Sequence, residues 1–239
     1  MTKHGKKYTD AAKLVDRMKE YAPAEAVDLL KQVTYTKFDG TVEVHFNLGV
    51  DPRHADQQVR STVLLPAGLG KTVRILVFAE GDGARLAEQA GADFVGLDDM
   101  ITKIQGGWLD FDMAIATPQV MGKVGRLGRI LGTRGLMPNP KAGTIVQPDD
   151  LPRAINEARQ GRVEFKVDKT GNLHVPIGKV NFTSQQILDN LAALVDAVNR
   201  AKPTGAKGIY LKRVTLTSTM APGIRLDTAA ASALKSAAA

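Results

Sequence analysis

The sequence predicts an α/β (α+β) protein of two domains, in which a split antiparallel α+β domain is interrupted by a Rossmann-like three-layer α/β domain. The first observation is charge: residues 71–160 hold 11 basic and 11 acidic side chains, whereas the rest holds 21 and 14, the whole net charge of +7. The second is the hydrophobic pattern, which changes near the two ends of that segment. We expect a discontinuous domain over 1–70 and 160–229, an inserted domain over 71–159, and a flexible tail over 230–239.

The composition narrows the class of protein. Its 239 residues are 44% hydrophobic and 24% charged, which is typical of a folded protein. Cysteine is absent, which excludes disulfides, thiol catalysis and cysteine-ligated metals. No apolar run approaches the ~18 residues of a membrane span, and the charged N-terminus does not resemble a secretory signal. We expect a cytoplasmic protein with no metal site, no cofactor and no membrane partner.

The first segment of the split domain is predicted as two helices and two strands. Residues 10–21 form the first helix, because apolar side chains recur there at helical spacing, at Leu14, Val15, Met18 and Tyr21. Pro23 opens the second helix, PAEAVDLLKQV. Residues 41–48 alternate between apolar and polar side chains, the pattern of a half-buried strand. After a turn-rich stretch, VRSTVLLP forms the next strand.

The inserted domain is predicted to consist of apolar strands that alternate with helices. The strands are VRILVFA, ADFVGL and DMAIAT, and the helices are GARLAEQAG, DDMITKIQGG, residues 118–131 and PDDLPRAINEARQ, which ends at Gly161. This alternation indicates a parallel sheet with helices on its faces.

After Gly161 the first pattern returns. VEFKVDKTGNLHVPIGKVNF predicts two strands around a turn, and Thr183 with Gln186 fits the capping box of an amphipathic helix. Pro203 and Gly205 end that helix, and residues 208–220 are predicted as the last strand.

Three patterns resemble catalytic or nucleotide sites but lack essential parts. GLGKT at 68–72 has Leu65 where a P-loop needs its first glycine, and a strand follows it instead of a helix. GDGARL at 81–86 lacks the third glycine of a dinucleotide fingerprint and fits a tight strand–helix turn. Glu43 and His45 share a strand face, either as an acid–base pair or as part of a polar sheet face.

A run of basic residues lies in the inserted domain. It consists of Lys123, Arg126, Arg129, Arg134 and Lys141. The run is either a stripe that follows phosphates or a solvated helix face. Because the surrounding domain is neutral, we interpret it as a secondary nucleic-acid contact.

The predicted last strand carries the most informative chemistry. One of its faces presents Arg213, Thr215, Thr217 and Thr219, and the strand ends at Ser218, Met220 and Ala221. Hydroxyls beside arginine and methionine suit the 2′-hydroxyls, phosphates and riboses of RNA. A mildly basic surface without a polyanionic partner is the alternative. Lys37 and Phe38 precede the first strand, where the ring is either a core plug or a stacking surface.

Four strings in order resemble the L-one family of large-subunit ribosomal proteins: KFDGTVEVHFNLGVD, GTRGLMPNPKAGT, FKVDKTGNLHVPIGK and TLTSTMAPGIRLD. The similarity spans roughly residues 5–228. It implies a structural, non-enzymatic protein, monomeric when free. Such a protein binds 23S-type rRNA of the large ribosomal subunit to form the mobile stalk, and assists release of deacylated tRNA from the exit site. It also implies translational repression through the protein's own operon mRNA. The alternatives are a free mRNA-binding regulator and a nucleotide-dependent α/β enzyme.

The resemblance also implies RNA-binding residues. These are Lys37, Phe38, Thr41, Asp168, Lys169, Thr170, Gly171, Thr217, Ser218, Thr219 and Met220, and we add Arg213, Thr215 and Ala221 from the last strand. Lys123, Arg126, Arg129, Arg134 and Lys141 become the candidates for a secondary tRNA or RNA contact. Ala221 stands where the family usually has glycine, Gly40 where it commonly has an acidic residue, and Thr133 where it has proline.

Overall fold

A computed structural model of the protein describes residues 5–234, and the chain divides into two compact units. The first unit takes in the chain up to Gly70 and from Val163 onward, and the second unit is Lys71–Arg162. The chain therefore leaves the first unit once and returns to it once.

The helices and strands follow one another in three stretches. Up to Gly70 the elements are α1 (Lys6–Lys13), α2 (Pro23–Val33), β1 (Thr41–Leu48) and β2 (Arg60–Leu64). The second unit contains β3 (Ile75–Phe78), α3 (Asp82–Gln89), β4 (Phe94–Gly96), α4 (Asp98–Gln105), β5 (Met113–Ala116), α5 (Met121–Val124), α6 (Gly128–Thr133) and α7 (Leu151–Arg159). The return stretch contains β6 (Arg162–Lys166), β7 (Asn172–Lys179), α8 (Ser184–Arg200), β8 (Leu211–Ser218), β9 (Ile224–Leu226) and α9 (Thr228–Ser232).

The main sheet of the first unit is antiparallel, in the order β7-β1-β8-β9. Val44 of β1 pairs with Val175 on one side and Leu216 on the other, and all three are buried in one core with α2 and α8. The alternate residues of these strands point away from that core. The sheet is therefore covered on one face, as the alternation predicts.

The strands β6 and β7 do not pair with each other. β6 pairs with β2 in a separate two-stranded sheet, and β7 pairs with β1. The turn between them therefore links two sheets of the first unit.

The second unit is built on a parallel sheet in the order β4-β3-β5. Leu76 and Phe78 point into one apolar cluster with α4 and the 118–133 segment, whereas Ile75 and Val77 point into another with α3 and α7. Both faces of the sheet are thus covered by helices. The predicted α/β (α+β) class, with a Rossmann-like three-layer part, is confirmed.

The helix predicted over residues 10–21 is wrong in its second half. α1 ends at Lys13, and Leu14 and Met18 are 56% and 87% exposed. Residues 16–20 are irregular, and Tyr21 pairs with β9, where its amide donates to the Arg225 carbonyl. Asp16 accepts from the Met18 amide, a local hydrogen bond that competes with the helical one.

The helix predicted over residues 118–131 is interrupted. Two short α-helices alternate there with 3₁₀ turns at Pro118–Val120 and Gly125–Leu127. Glycines at 122, 125, 128 and 132 weaken a continuous helix.

The C-terminal end of the first unit also differs from the prediction. β8 begins at Leu211, and the strand β9 follows it. The start of the predicted tail forms α9, which Asp227 caps by accepting from the amides of Ala229 and Ala230, and Ala231 is completely buried. Residues 235–239 lie outside the described part of the chain.

Two local predictions are confirmed. Thr183 and Gln186 form the capping box of α8. Gly81 has a φ of 59° at the strand–helix turn before α3. At Gly70 a side chain would come within 2.7 Å of the Phe182 ring, so close packing explains a glycine of the GLGKT string.

Candidate nucleic-acid interface

The first unit presents one open sheet face, which we call the outer face. Its residues are Asn172, His174, Pro176 and Lys179 of β7, Thr41, Glu43, His45 and Asn47 of β1, Arg213, Thr215 and Thr217 of β8, and Arg225 of β9. Nearly all of them are polar or charged. Since the opposite face supplies the core, these side chains form the polar face of the sheet, and each of them is exposed or half-buried.

Phe38 lies on the surface beside the start of β1. Its side chain is 57% exposed, and Lys37 is exposed next to it. The Thr36 hydroxyl donates to the Phe38 carbonyl, and the Asp39 carboxylate accepts from the Asn181 amide, so the backbone is held while the ring projects. The core-plug alternative is therefore wrong.

Met220 lies in a tight turn after β8. The Ala221 amide donates to the Ser218 carbonyl at 2.9 Å. Met220 has a φ of 66°, in the left-handed region that disfavours a bulky side chain, yet 64% of it is exposed. The Thr217 hydroxyl donates to the Ala221 carbonyl, and the Tyr35 hydroxyl donates to the Met220 carbonyl, at 3.2 and 2.7 Å. Surrounding hydrogen bonds thus hold an apolar side chain outward in a strained backbone.

Two threonines join these segments. The Thr219 amide donates to the Thr41 carbonyl, and the Thr41 amide donates to the Thr219 hydroxyl, both at 3.0 Å. The Lys179 ammonium donates to the Thr41 hydroxyl at 3.0 Å. We call Lys37, Phe38, Thr41, Thr219 and Met220 the Phe38 cluster, since the structure brings them to one end of β1.

Ser218 does not belong to the exposed surface. Its side chain is 3% exposed, and its hydroxyl shares a 2.7 Å hydrogen bond with Thr34. Its position in β8 alternates with Thr217, so its side chain points into the core side of the sheet. The hydroxyl predicted to contact RNA is used inside the protein.

The departures from the family pattern cause no backbone strain. Among the described non-glycine residues only Met220 has a positive φ, so Ala221 occupies a conformation open to any residue. At Gly40 an added Cβ would lie 3.5 Å from Thr219, Thr36 and Val180, an ordinary contact.

Residues 168–171, here called the Asp168 turn, lie at the other end of β1. The Asp168 carboxylate accepts from the amides of Thr170 and Asn172 at 2.8 and 2.7 Å. Hydrogen bonds, first of all that from the Asn172 amide, lower the pKa of Asp168 to about 2. Gly171 has a φ of 81°, and its carbonyl accepts from the Leu48 amide. Asp168 therefore shapes the turn, and Lys169 and Thr170 are its exposed members.

The predicted residues thus form two clusters at opposite ends of one strand. Thr41 pairs with Lys179 at the Phe38 cluster, and Asn47 pairs with Asn172 at the Asp168 turn. The rise of an extended chain separates these ends by roughly 20 Å. The outer face bridges the gap, and it makes one continuous polar surface.

A pair of histidines occupies the middle of that surface. The Nδ1 atoms of His45 and His174 lie 2.8 Å apart, so one ring donates and the other accepts. Burial first, and then the neighbouring His174, lower the pKa of His45. Glu43 and Asp168 lie 3.9 and 3.8 Å from the outer nitrogens of the two rings. The lowered pKa of His45 favours its neutral form, in which one ring donates its Nδ1 hydrogen to the other.

Sequence reasoning missed several members of the surface. Asn172 and His174 alternate along β7 as Thr41 to Asn47 do along β1, so the same signal could have found them. Lys179 is out of phase with them and reaches this face through the register shift between Val42 and Glu43. Arg225 gave no such signal because it lies on β9, a strand that was not predicted. Tyr35 gave none because it lies outside the strands and contributes through its hydroxyl, which donates to the Met220 carbonyl in the turn after β8.

In the second unit, the residues of the basic run differ in whether they have an ion-pair partner. Lys123 donates to Glu80 and Asp98 at 2.8 and 3.2 Å, and these carboxylates, Glu80 first, raise the pKa of Lys123. Arg126, Arg129, Arg134 and Lys141 are exposed, and among residues 5–234 none of these four has an ion-pair partner.

The part of the chain that the structure describes contains no group of three or more potential ligand side chains placed to hold a metal ion. Nor does any helix between residues 5 and 234 have the length and apolar character needed to cross a bilayer.

Comparisons with known proteins agree on one family. A profile of the ribosomal protein L1p/L10e family matches residues 30–222. The large ribosomal subunit protein uL1 of Chloroflexus aggregans is 62% identical over 236 residues, which cover 98% of this chain and 100% of that protein. The proteins of the same name from Dehalococcoides mccartyi and Thermomicrobium roseum are 56% and 57% identical, over 98% and 96% of this chain and 99% and 95% of their own lengths. The chain therefore belongs to the ribosomal protein L1p/L10e family.

Proposed function

We propose that the chain binds large-subunit rRNA directly. The Phe38 cluster is the anchor of this contact, and the RNA backbone lies along the outer face. Family membership makes the chain a structural, non-enzymatic protein of the large ribosomal subunit, which works in the cytoplasm on the ribosome. The enzyme alternative is thereby excluded.

The observation that carries the proposal is the exposure of Phe38 and Met220. These two large apolar side chains lie on neighbouring segments. Both project from the surface, and neither contributes to the core. Strained backbone that its surroundings over-determine points to function. An exposed ring beside a lysine offers a stacking surface for an unpaired base and a charge for its phosphate.

The rest of the outer face suits the backbone of the same RNA. Thr215 has a hydroxyl with no hydrogen-bond partner among the described residues, and Arg213 has no ion-pair partner there. Hydroxyl and guanidinium groups at strand spacing match 2′-hydroxyls and phosphates. Lys169 and Thr170 of the Asp168 turn extend the contact to the far end of β1.

Three variants test the anchor by titration with an rRNA fragment from the stalk base. Phe38→Ala and Met220→Ala should each weaken binding by roughly 1–3 kcal/mol, the usual value of a stacked base. Ile209→Ala is the control, because Ile209 is 75% exposed at the other end of β8. Thermal unfolding should be nearly unchanged in all three. Equal affinities for the three variants would refute the anchor.

Translational repression is a second function that we propose for the first unit. We propose that the protein's own operon mRNA binds the same Phe38 cluster, since an mRNA that folds like the rRNA site meets the same side chains. The two RNAs should then compete, and Phe38→Ala should weaken both. Simultaneous binding of both RNAs to one protein molecule would contradict a shared site.

For the second unit we propose a contact with exit-site tRNA during release of deacylated tRNA. Arg126, Arg129, Arg134 and Lys141 would meet its phosphates, whereas Lys123 is already neutralised by Glu80 and Asp98. Charge removal at Arg126 and Arg129 together should slow tRNA release from intact ribosomes without changing rRNA affinity. Lys123→Gln serves as the matched control and should have a smaller effect.

A further inference from the structure

A cavity of about 340 Å³ lies in the first unit. It is bounded by α1, by the segment that follows α1, and by the strands β8 and β9. Three arginines line it, Arg17, Arg213 and Arg225, against one carboxylate, that of Asp16. The cavity is therefore lined by more positive than negative side chains.

The arginines have unused hydrogen-bonding capacity. The Nε atom of Arg225 is buried and has no hydrogen-bond partner among the described residues. The nearest acidic group to this side chain is Glu20, at 3.9 Å from Nη2. Arg17 and Arg213 have no ion-pair or hydrogen-bonding partner for their side chains within residues 5–234. A buried polar group without a partner is rare in folded proteins and calls for an explanation.

The acidic residue of the cavity is already engaged. The Asp16 carboxylate accepts from the Met18 amide at 2.9 Å, which turns one of its oxygens toward the backbone. The rest of the lining includes Tyr8 and the apolar residues Val15 and Pro222. An anion in this cavity would therefore meet guanidinium donors at a partly apolar wall, where charge-assisted hydrogen bonds are strong.

We propose that this cavity is a phosphate-binding site, in which Arg17, Arg213 and Arg225 grip one phosphate group. Planar guanidinium forks match phosphate oxygens better than lysine does, and all three basic residues of the cavity are arginines. The phosphate is supplied either by the backbone of the bound RNA or by a free phosphate. The first source rests on the proposed rRNA binding, because Arg213 lies on the outer face; the second does not.

The test uses the full chain and two variants, Arg17→Gln and Arg225→Gln. Arg200→Gln is the matched control: it removes the same charge from α8, whose apolar side packs on the opposite face of the sheet. In the first arm, an rRNA fragment is titrated at several salt concentrations. Each cavity variant should bind roughly three- to tenfold more weakly, with a salt slope smaller by about one phosphate contact, and the control should not.

In the second arm, inorganic phosphate is added without RNA and thermal unfolding is followed at constant ionic strength. A rise in Tm that both cavity variants lose identifies free phosphate as an occupant, whereas losses confined to the first arm identify the RNA backbone. Arg17 is exposed, so its variant stays informative even if Arg225→Gln lowers stability. If both variants match Arg200→Gln in both arms, the phosphate site is refuted. If the unsubstituted chain binds no RNA at all, the proposed function fails, while the phosphate arm still decides the cavity.

Discussion

The two main sheets of this protein differ in how many of their faces are covered. The antiparallel sheet of the first unit packs one face on α2 and α8 and leaves the other polar. The parallel sheet of the second unit buries both faces, with neighbours Ile75 and Leu76 in different clusters. A covered sheet offers only its ends and loops to a partner, whereas a half-covered sheet offers a flat surface several strands wide.

The distribution of charge follows the same division. The segment 71–160 is neutral, and the rest of the chain carries the whole charge of +7. Electrostatic attraction and open surface thus occur in the same unit, which is why we assign the primary RNA contact to it.

The strongest test of this contrast is to separate the units. Residues 1–70 joined to 163–239 by a short linker should keep most of the rRNA affinity, since that polypeptide contains the Phe38 cluster, the outer face and the basic charge. The isolated second unit should bind only non-specifically, roughly a thousandfold or more weakly. Titration of each polypeptide with the same RNA measures the difference in affinity. Equal affinities would contradict the assignment of the primary RNA contact to the first unit.

A second test asks whether covered and open faces respond differently to truncation. Ile75→Ala and Leu76→Ala should each lower the free energy of unfolding by about 2–5 kcal/mol, because consecutive residues of β3 are both fully buried. In β8, Leu216→Ala should cost a similar amount, but Thr215→Ala less than about 0.5 kcal/mol. Denaturant unfolding measures all four. A large loss at Thr215 would mean that the outer face is not open.

A buried asparagine inside the first unit supplies a third test. Asn190 of α8 is fully buried, accepts from the Ala67 amide at 2.9 Å, and donates to the carbonyls of Gly68 and Ile177 at 2.9 and 2.6 Å. Asn190→Ala strands these backbone groups and should destabilise the first unit by roughly 1–3 kcal/mol. Asn199→Ala, at an exposed position of the same helix, is the control. If the two variants have the same unfolding curve, the hydrogen bonds of Asn190 do not stabilise the first unit.

A fourth test compares two threonines of the binding surface. Thr219→Val removes the hydroxyl that accepts from the Thr41 amide, so both stability and RNA affinity should fall, stability by about 1 kcal/mol. Thr215→Val removes a hydroxyl without an internal partner and should lower only affinity. Binding and thermal unfolding are measured on both variants. Unchanged affinity in a folded Thr219→Val protein would remove Thr219 from the RNA contact.

The smallest expected effect concerns pH and the Asp168 turn. The pKa of Asp168 is lowered from 3.8 to about 2 in the folded protein, so its stabilising contribution is complete above the unfolded value and is lost as the pH falls toward 2. Because the group is exposed, Asp168→Ala should cost less than about 1 kcal/mol at neutral pH. The stabilities of variant and parent should converge near pH 2 in acid unfolding curves; a difference independent of pH would exclude an electrostatic cause.

The sequence alone determined the covered and open faces. Alternation in 41–48 and in the predicted strand 208–220 identified the polar row, and continuous apolar runs identified the two-sided sheet, because side-chain periodicity reports burial directly. Charge counts located the basic part of the chain, and the four strings pointed to the family.

Only the tertiary structure decided which residues meet. Phe38 and Met220 are 182 positions apart, and the pairing of β1 with β8 brings their segments together. The side of Ser218 follows from strand alternation, but its hydrogen bond to Thr34 depends on the tertiary structure. The cavity brings Arg17 together with Arg213 and Arg225 because the chain leaves the helical path after Lys13 and Tyr21 pairs with β9. Such contacts depend on long-range strand pairing and on local hydrogen bonds that override helical periodicity, and neither leaves a pattern within a short stretch of sequence.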